Sequence, residues 1–82
     1  MTREEAIKTI TEEGLKNYNL NENRYNKENE VVIKYESDAW VVYATDERAS
    51  VVTGSKKIFG SEVEAWDNLI KRLRADKVLR EL

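Results

Sequence analysis

Between residues 30 and 59 apolar and polar positions fall into three short runs: E-V-V-I-K-Y-E, then W-V-V-Y-A-T-D, then S-V-V-T-G-S-K-K-I-F. Ser37-Asp38 and Glu47-Arg48 separate them. Valine, isoleucine, tyrosine and tryptophan fit a pleated, half-buried surface, and short polar breaks between such runs read as hairpin turns. The pattern predicts a three-stranded antiparallel meander. A two-residue loop at Ser37-Asp38 sets Tyr35 opposite Trp40, Ile33 opposite Val42 and Val31 opposite Ala44. The same loop length at Glu47-Arg48 sets Ala44 opposite Val51 and Val42 opposite Thr53. Strand side chains alternate between faces. One face therefore carries Val31, Ile33, Tyr35, Trp40, Val42, Ala44 and Val51, and Phe59 joins it unless Gly54 makes a bulge. This is the expected core face. The other carries Val32, Lys34, Glu36, Val41, Tyr43, Thr45 and Val52, more apolar than a wholly solvated face.

Helical patterns flank the strands. Thr2 with Glu5 reads as a capping box, Ala6, Ile7 and Ile10 mark one face, and Gly14 is a natural terminator. A first helix is expected over about residues 3–13. Ser61 with Glu64 reads as a second capping box, followed by Val63, Trp66, Leu69, Ile70 and Leu73 at helical spacing. Glu62, Glu64 and Asp67 lie early in this helix and Lys71, Arg72 and Arg74 late, the order that suits the helix dipole. Residues 74–82 either continue the helix or fray. The expectation is a single α+β domain over residues 1–82, in the order α-β-β-β-α. Both helices pack on one sheet face, with Trp40 and Trp66 in the core, and the other face is left open to solvent or to a partner.

Residues 17–29 break every period. Asn17, Asn19, Asn21, Asn23, Asn26 and Asn29 recur here, and asparagine favours turns because its side chain competes for nearby backbone groups. Tyr18, Leu20 and Tyr25 are the sizeable apolar anchors, and the alternation of Tyr18 and Leu20 is compatible with a very short edge strand. A structureless loop of this length is uncommon in a compact domain. Either those anchors pin it or it belongs to the working surface.

Composition narrows the chemistry. The chain has no histidine and no cysteine, so the usual bases, thiol nucleophiles, soft metal ligands and disulfides are absent. Most of the 16 acidic side chains lie at helix starts and in turns, where they cap or solvate. There is no glycine-rich phosphate loop and no calcium-loop spacing. The expectation is a non-enzymatic protein without cofactor or metal. A net charge of −2 with 37% charged residues exerts no global pull toward nucleic acid or acidic lipid. No apolar run approaches the roughly 20 residues of a membrane span. The start is charged, with no secretory h-region, so a cytoplasmic location is expected.

The order α-β-β-β-α is also that of double-stranded-RNA-binding domains, which set a basic cluster at the start of the last helix against phosphates. Here that turn reads S-E-V-E, and Lys56 and Lys57 come earlier, on the last strand. A nucleic-acid-binding module is therefore the alternative reading, not the leading one.

W-V-V-Y-A-T-D-E-R-A, then Phe59, then S-E-V-E-A-W-D-N-L-I-K-R-L resembles the small immunity proteins of bacterial polymorphic toxin systems, family fifty-nine type. The resemblance covers residues 30–73, with Ala49 standing where the pattern has glycine. It implies a protein that binds and neutralises a cognate toxin in the cytoplasm. The expected partner-binding residues lie on and beside the open sheet face. Val32, Val41, Tyr43 and Val52 form an apolar patch, Lys34 and Thr45 its polar rim, and Glu47 and Arg48 a charged knob at its edge. A homodimer burying that face against itself is a third reading.

Overall fold

The centre of the computed structural model, which describes residues 1–82, is the hairpin of β2 (Val31–Glu36) and β3 (Ala39–Ala44). Ser37 and Asp38 join them with φ of 51° and 62°. Positive φ at both central residues is the type I′ turn, whose twist matches that of the flanking strands. The register follows: Tyr35 opposite Trp40, Ile33 opposite Val42, Val31 opposite Ala44, as the pattern predicts.

Two helices cover one face. In α1 (Arg3–Glu13) Thr2 and Glu5 form the reciprocal capping box, and Gly14 ends the helix at φ 63° with its N–H on the Ile10 carbonyl. In α2 (Glu62–Arg80) the Ser61 hydroxyl accepts from the Glu64 N–H at 3.2 Å. Glu62, not Glu64, is the working carboxylate there: it accepts from Arg3 at 2.8 Å and from the Trp66 indole N–H at 2.9 Å. The residues beyond 74 remain helical through Arg80. Ala6, Ile10 and Leu15 meet Ala65, Trp66, Leu69, Ile70 and Leu73 over Val31, Ile33 and Val42 to form the core. The helices do not reach the far end of this face, so Tyr35 is exposed and Trp40 only half-buried.

The third apolar run departs from the expected strand. Asp46 N–H donates to the Ser50 carbonyl and Ala49 N–H to the Asp46 carbonyl, so the loop is three residues, 47–49, and not two. Val51 then faces Thr45 in an isolated bridge rather than Ala44, and is exposed. Val52 N–H still donates to the Ala44 carbonyl at 2.9 Å, and residues 53–56 then leave the ladder, with Gly54 at φ 80°. β4 (Lys57–Phe59) rejoins it with Phe59 opposite Trp40, which returns Phe59 to the core face.

Ala49 sits at φ 62°, the left-handed position that closes a three-residue hairpin loop and normally belongs to glycine. Ala49→Gly is expected to stabilise the fold by about 1 kcal/mol, read as a higher urea midpoint at unchanged slope. A lower midpoint would show that the alanine side chain earns its place by packing.

The α+β fold and its antiparallel β2-β3-β4 meander are as expected, and the sheet adds a fourth strand. β1 (Tyr18–Leu20) lies beside β2 and parallel to it, with Asn19 opposite Val32, giving a mixed sheet in the order β1-β2-β3-β4. Parallel neighbours cannot be joined by a tight turn and require a crossover. Residues 21–30 make it.

Candidate partner interface

The crossover runs over the sheet face away from the helices. By alternation that face carries Asn19 from β1, Glu30, Val32 and Lys34 along the β2 line, and Val41, Tyr43 and Thr45 along the β3 line. Its polar members reach the loop one after another. Asn19 Oδ1 accepts from the Glu22 N–H at 2.7 Å, the Tyr43 hydroxyl donates to Asn26 Oδ1 at 2.9 Å, and Thr45 Oγ donates to the Lys27 carbonyl at 2.7 Å. The Glu30 carboxylate accepts from both terminal nitrogens of Arg24, at 2.9 and 3.1 Å, and from the Lys27 N–H at 2.8 Å. Asn29 N–H closes the strap on the Asp46 carbonyl at 2.9 Å. Asn17, Asn21 and Asn29 take φ of 64°, 57° and 51°, a left-handed backbone that asparagine tolerates better than most residues. This explains much of the asparagine enrichment.

The electrostatics of the strap centre on Glu30, which is 3% exposed. Burial pushes its carboxyl up, but the Arg24 guanidinium and the Lys27 N–H outweigh burial and hold it below the usual carboxylate range. Hydrogen bonds from Arg24 to Glu30 and Glu22 raise the guanidinium in turn. Burial raises the Tyr43 phenol.

The expected open face is therefore closed. Val32 is wholly buried, and Val41, Tyr43 and Thr45 are also buried. These four residues offer no free surface, and a homodimer closing over that face has no open face to use. Their apolar character serves the chain's own crossover. Lys34 is half-buried, while Glu47, Arg48 and Val52 are exposed. Tyr43→Phe removes one hydrogen bond to the strap and is expected to cost about 1 kcal/mol, read in urea unfolding. An unchanged midpoint would show that Asn26 does not depend on Tyr43.

What the strap does present is Tyr25, 97% exposed. Its neighbours on both sides are tied down, Arg24 to Glu30 and Glu22 and Asn26 to Tyr43, and its own carbonyl accepts from Arg24 at 3.1 Å. Immediately after it, Asn26, Lys27 and Glu28 face Glu47, Arg48 and Ala49 across a shallow notch of about 520 Å³. The sequence left Tyr25 either as an anchor pinning the loop or as part of a working surface, and the anchor alternative does not hold for it. The signal against the anchor is its setting among asparagines and charges, with no apolar partner at strand spacing. No group of three or more acidic side chains is placed to hold a metal ion, and no helix is long and apolar enough to cross a membrane.

The molecule is thus a small α+β protein in which a polar strap holds one aromatic side chain clear of the body. A family model described as Immunity protein 59 matches residues 1–81, and the chain belongs to that family. No curated protein and no solved structure matches it.

Proposed function

We propose that this immunity-family protein acts by binding: it associates with a cognate toxin protein in the bacterial cytoplasm and blocks it, without chemistry of its own. Family membership supplies the class of partner. The observation that carries the binding mode is the presentation of Tyr25, fully exposed between two immobilised neighbours. With the backbone fixed on both sides of Tyr25, binding has only that side chain's rotamers to order, and aromatic residues dominate interface energetics. Glu47 and Arg48 continue the surface across the notch beside it, and Lys34 lies farther along the strap, by Asn21–Asn23. Val32, Val41, Tyr43 and Thr45 contribute by holding the strap.

The test is co-production with a candidate toxin domain, sought among the genes neighbouring this one, followed by calorimetric titration of the purified pair. Wild-type protein is expected to restore growth and bind. Tyr25→Ala should leave the thermal midpoint unchanged while weakening binding by about 2 kcal/mol. Affinity equal to wild type would move the interface elsewhere. Tight binding of duplex RNA with a steep salt dependence would overturn the reading altogether. Against that outcome, Glu62 and Glu64 occupy the first turn of α2 and Lys56 is engaged by Glu36 at 3.0 Å.

A further inference from the structure

On the helix-covered side of the sheet, at the end the helices leave bare, α1 and the end of β1 flank a narrow slot of about 160 Å³. Arg3 and Ile7 line it from α1, Leu20 and Asn21 from the end of β1, Trp40 from β3 and Trp66 from α2. We propose that this slot receives one aromatic side chain of the partner protein. The inference rests on the binding reading above and adds a second contact on the opposite side of the sheet from Tyr25.

Size is the first argument. An apolar protein cavity of about 150 Å³ takes up benzene, and this slot has the same capacity. The second argument is that the hydrogen-bonding groups nearest the two rings are already engaged. The Trp66 indole N–H donates to Glu62 at 2.9 Å, Arg3 donates twice to the same carboxylate at 2.8 and 3.1 Å, and Asn21 Oδ1 accepts from the Tyr35 N–H at 3.2 Å. The remaining Arg3 terminal nitrogen and the Asn21 amide nitrogen belong to exposed side chains and can stay with solvent, so an occupant seated against the rings need supply no hydrogen bond, which favours an apolar side chain. The third argument selects a ring over an aliphatic group. Half-buried Trp40 presents its ring to the slot, with buried Trp66 behind it at 6.4 Å and 49°, and the Arg3 guanidinium lies 5.7 Å from the Trp40 ring centroid. Tilted aromatic contacts and a fixed cation each favour a π-system. The source is a protein because the rim is apolar as well. Tyr35, 5.3 Å from Trp40, is 52% exposed and Ile7 45% exposed, a surface that a small molecule in the slot would leave wet. Tryptophan, tyrosine and arginine together are also the residues most enriched among binding hot spots.

The experiment has two arms. In the first, isolated protein is titrated with p-cresol and with 4-methylcyclohexanol while the indole N–H signals of Trp40 and Trp66 are followed by NMR. Saturable shifts are expected with p-cresol, roughly tenfold tighter than with the saturated analogue, the size of one or two ring interactions. They should be lost in Ile7→Glu and kept in Ile7→Leu. No shift, equal response to both probes, or shifts that survive Ile7→Glu would overturn the proposal. In the second arm, Ile7→Glu is titrated against the toxin and should bind at least about tenfold more weakly. Toxin bound equally by wild type and Ile7→Glu overturns the slot alone. Toxin not bound by wild type overturns the functional reading, and the partner named here with it. The p-cresol arm on wild-type protein decides the slot's chemistry even where the variant does not fold.

Discussion

Trp66→Ala is expected to lower stability by about 3–5 kcal/mol, the range for deleting a fully buried aromatic side chain. Trp66 is 2% exposed and stands where α2 meets the sheet, with Trp40 at 6.4 Å. Its loss does more than leave a cavity. The indole N–H donates to Glu62, and Glu62 in turn holds Arg3 at the first turn of α1, so the substitution also loosens the contact between the two helices. Trp40→Ala should cost less, because Trp40 is only half-buried at the bare end of the core face. A small domain has about 5–15 kcal/mol in total, so Trp66→Ala should leave a substantial unfolded fraction at 37 °C. Urea unfolding followed by circular dichroism measures it. A midpoint equal to wild type would mean that α2 does not form the second layer of the core.

The parts of this fold legible in the sequence are those whose determinants are local. The β2–β3 hairpin is specified by two runs of β-formers and a polar pair able to take positive φ. The helices are specified by caps and apolar spacing. The turn at 46–50 failed for a reason that is also physical. Its length is set by the Asp46 carboxylate, which accepts from the N–H groups of Arg48 and Ser50 at 2.8 and 3.0 Å. An aspartate at the head of a turn was the available signal. The loop then requires left-handed backbone at an alanine, which propensity alone disfavours, and the extra residue displaces Val51 by one position. A slip of one residue changes which face a side chain occupies.

The closed second face was harder to read, because its cause is topological. The alternation of Tyr18 and Leu20 allows a very short edge strand, which β1 is, but nothing in three residues announces that it runs parallel to β2. Once that pairing exists, residues 21–30 must cross one face, and the helices already occupy the other. The apolarity of Val32, Val41 and Tyr43 reads as an open partner-binding patch in the sequence, whereas it is a demand for cover. The chain meets that demand with its own crossover. The same inference moves the candidate partner surface outward, from the sheet to the strap that covers it.

Arg24→Ala should then release the strap, at a cost of about 3 kcal/mol. Removing one partner of a buried ion pair typically costs about 3–5 kcal/mol, because the remaining charge is stranded. The lower end applies because the Arg24 side chain is 24% exposed, although that of Glu30 is only 3% exposed. Native-state hydrogen exchange localises the effect. Amides tied to the strap, those of Glu22, Lys27 and Asn29, should exchange faster, while those in the middle of α2 change less. The pH dependence gives a second and sharper signature. In the wild type the folded Glu30 carboxyl lies below its ordinary range. Its contribution is therefore fully present above the unfolded value of about 4.3 and is lost as pH falls through the lower folded value. In Arg24→Ala the same carboxyl keeps its burial without its cation, so its affinity for a proton rises and protonation relieves the variant instead of weakening it. The stability difference between the two proteins should accordingly be largest near neutral pH, begin to shrink above the ordinary carboxylate value of about 4.3 as the variant's raised carboxyl takes up its proton, and level off only below the wild type's lower value. A difference that stays constant across that window would mean that Arg24 supports the strap through its carbonyl contacts with Tyr18 and Tyr25 rather than through Glu30.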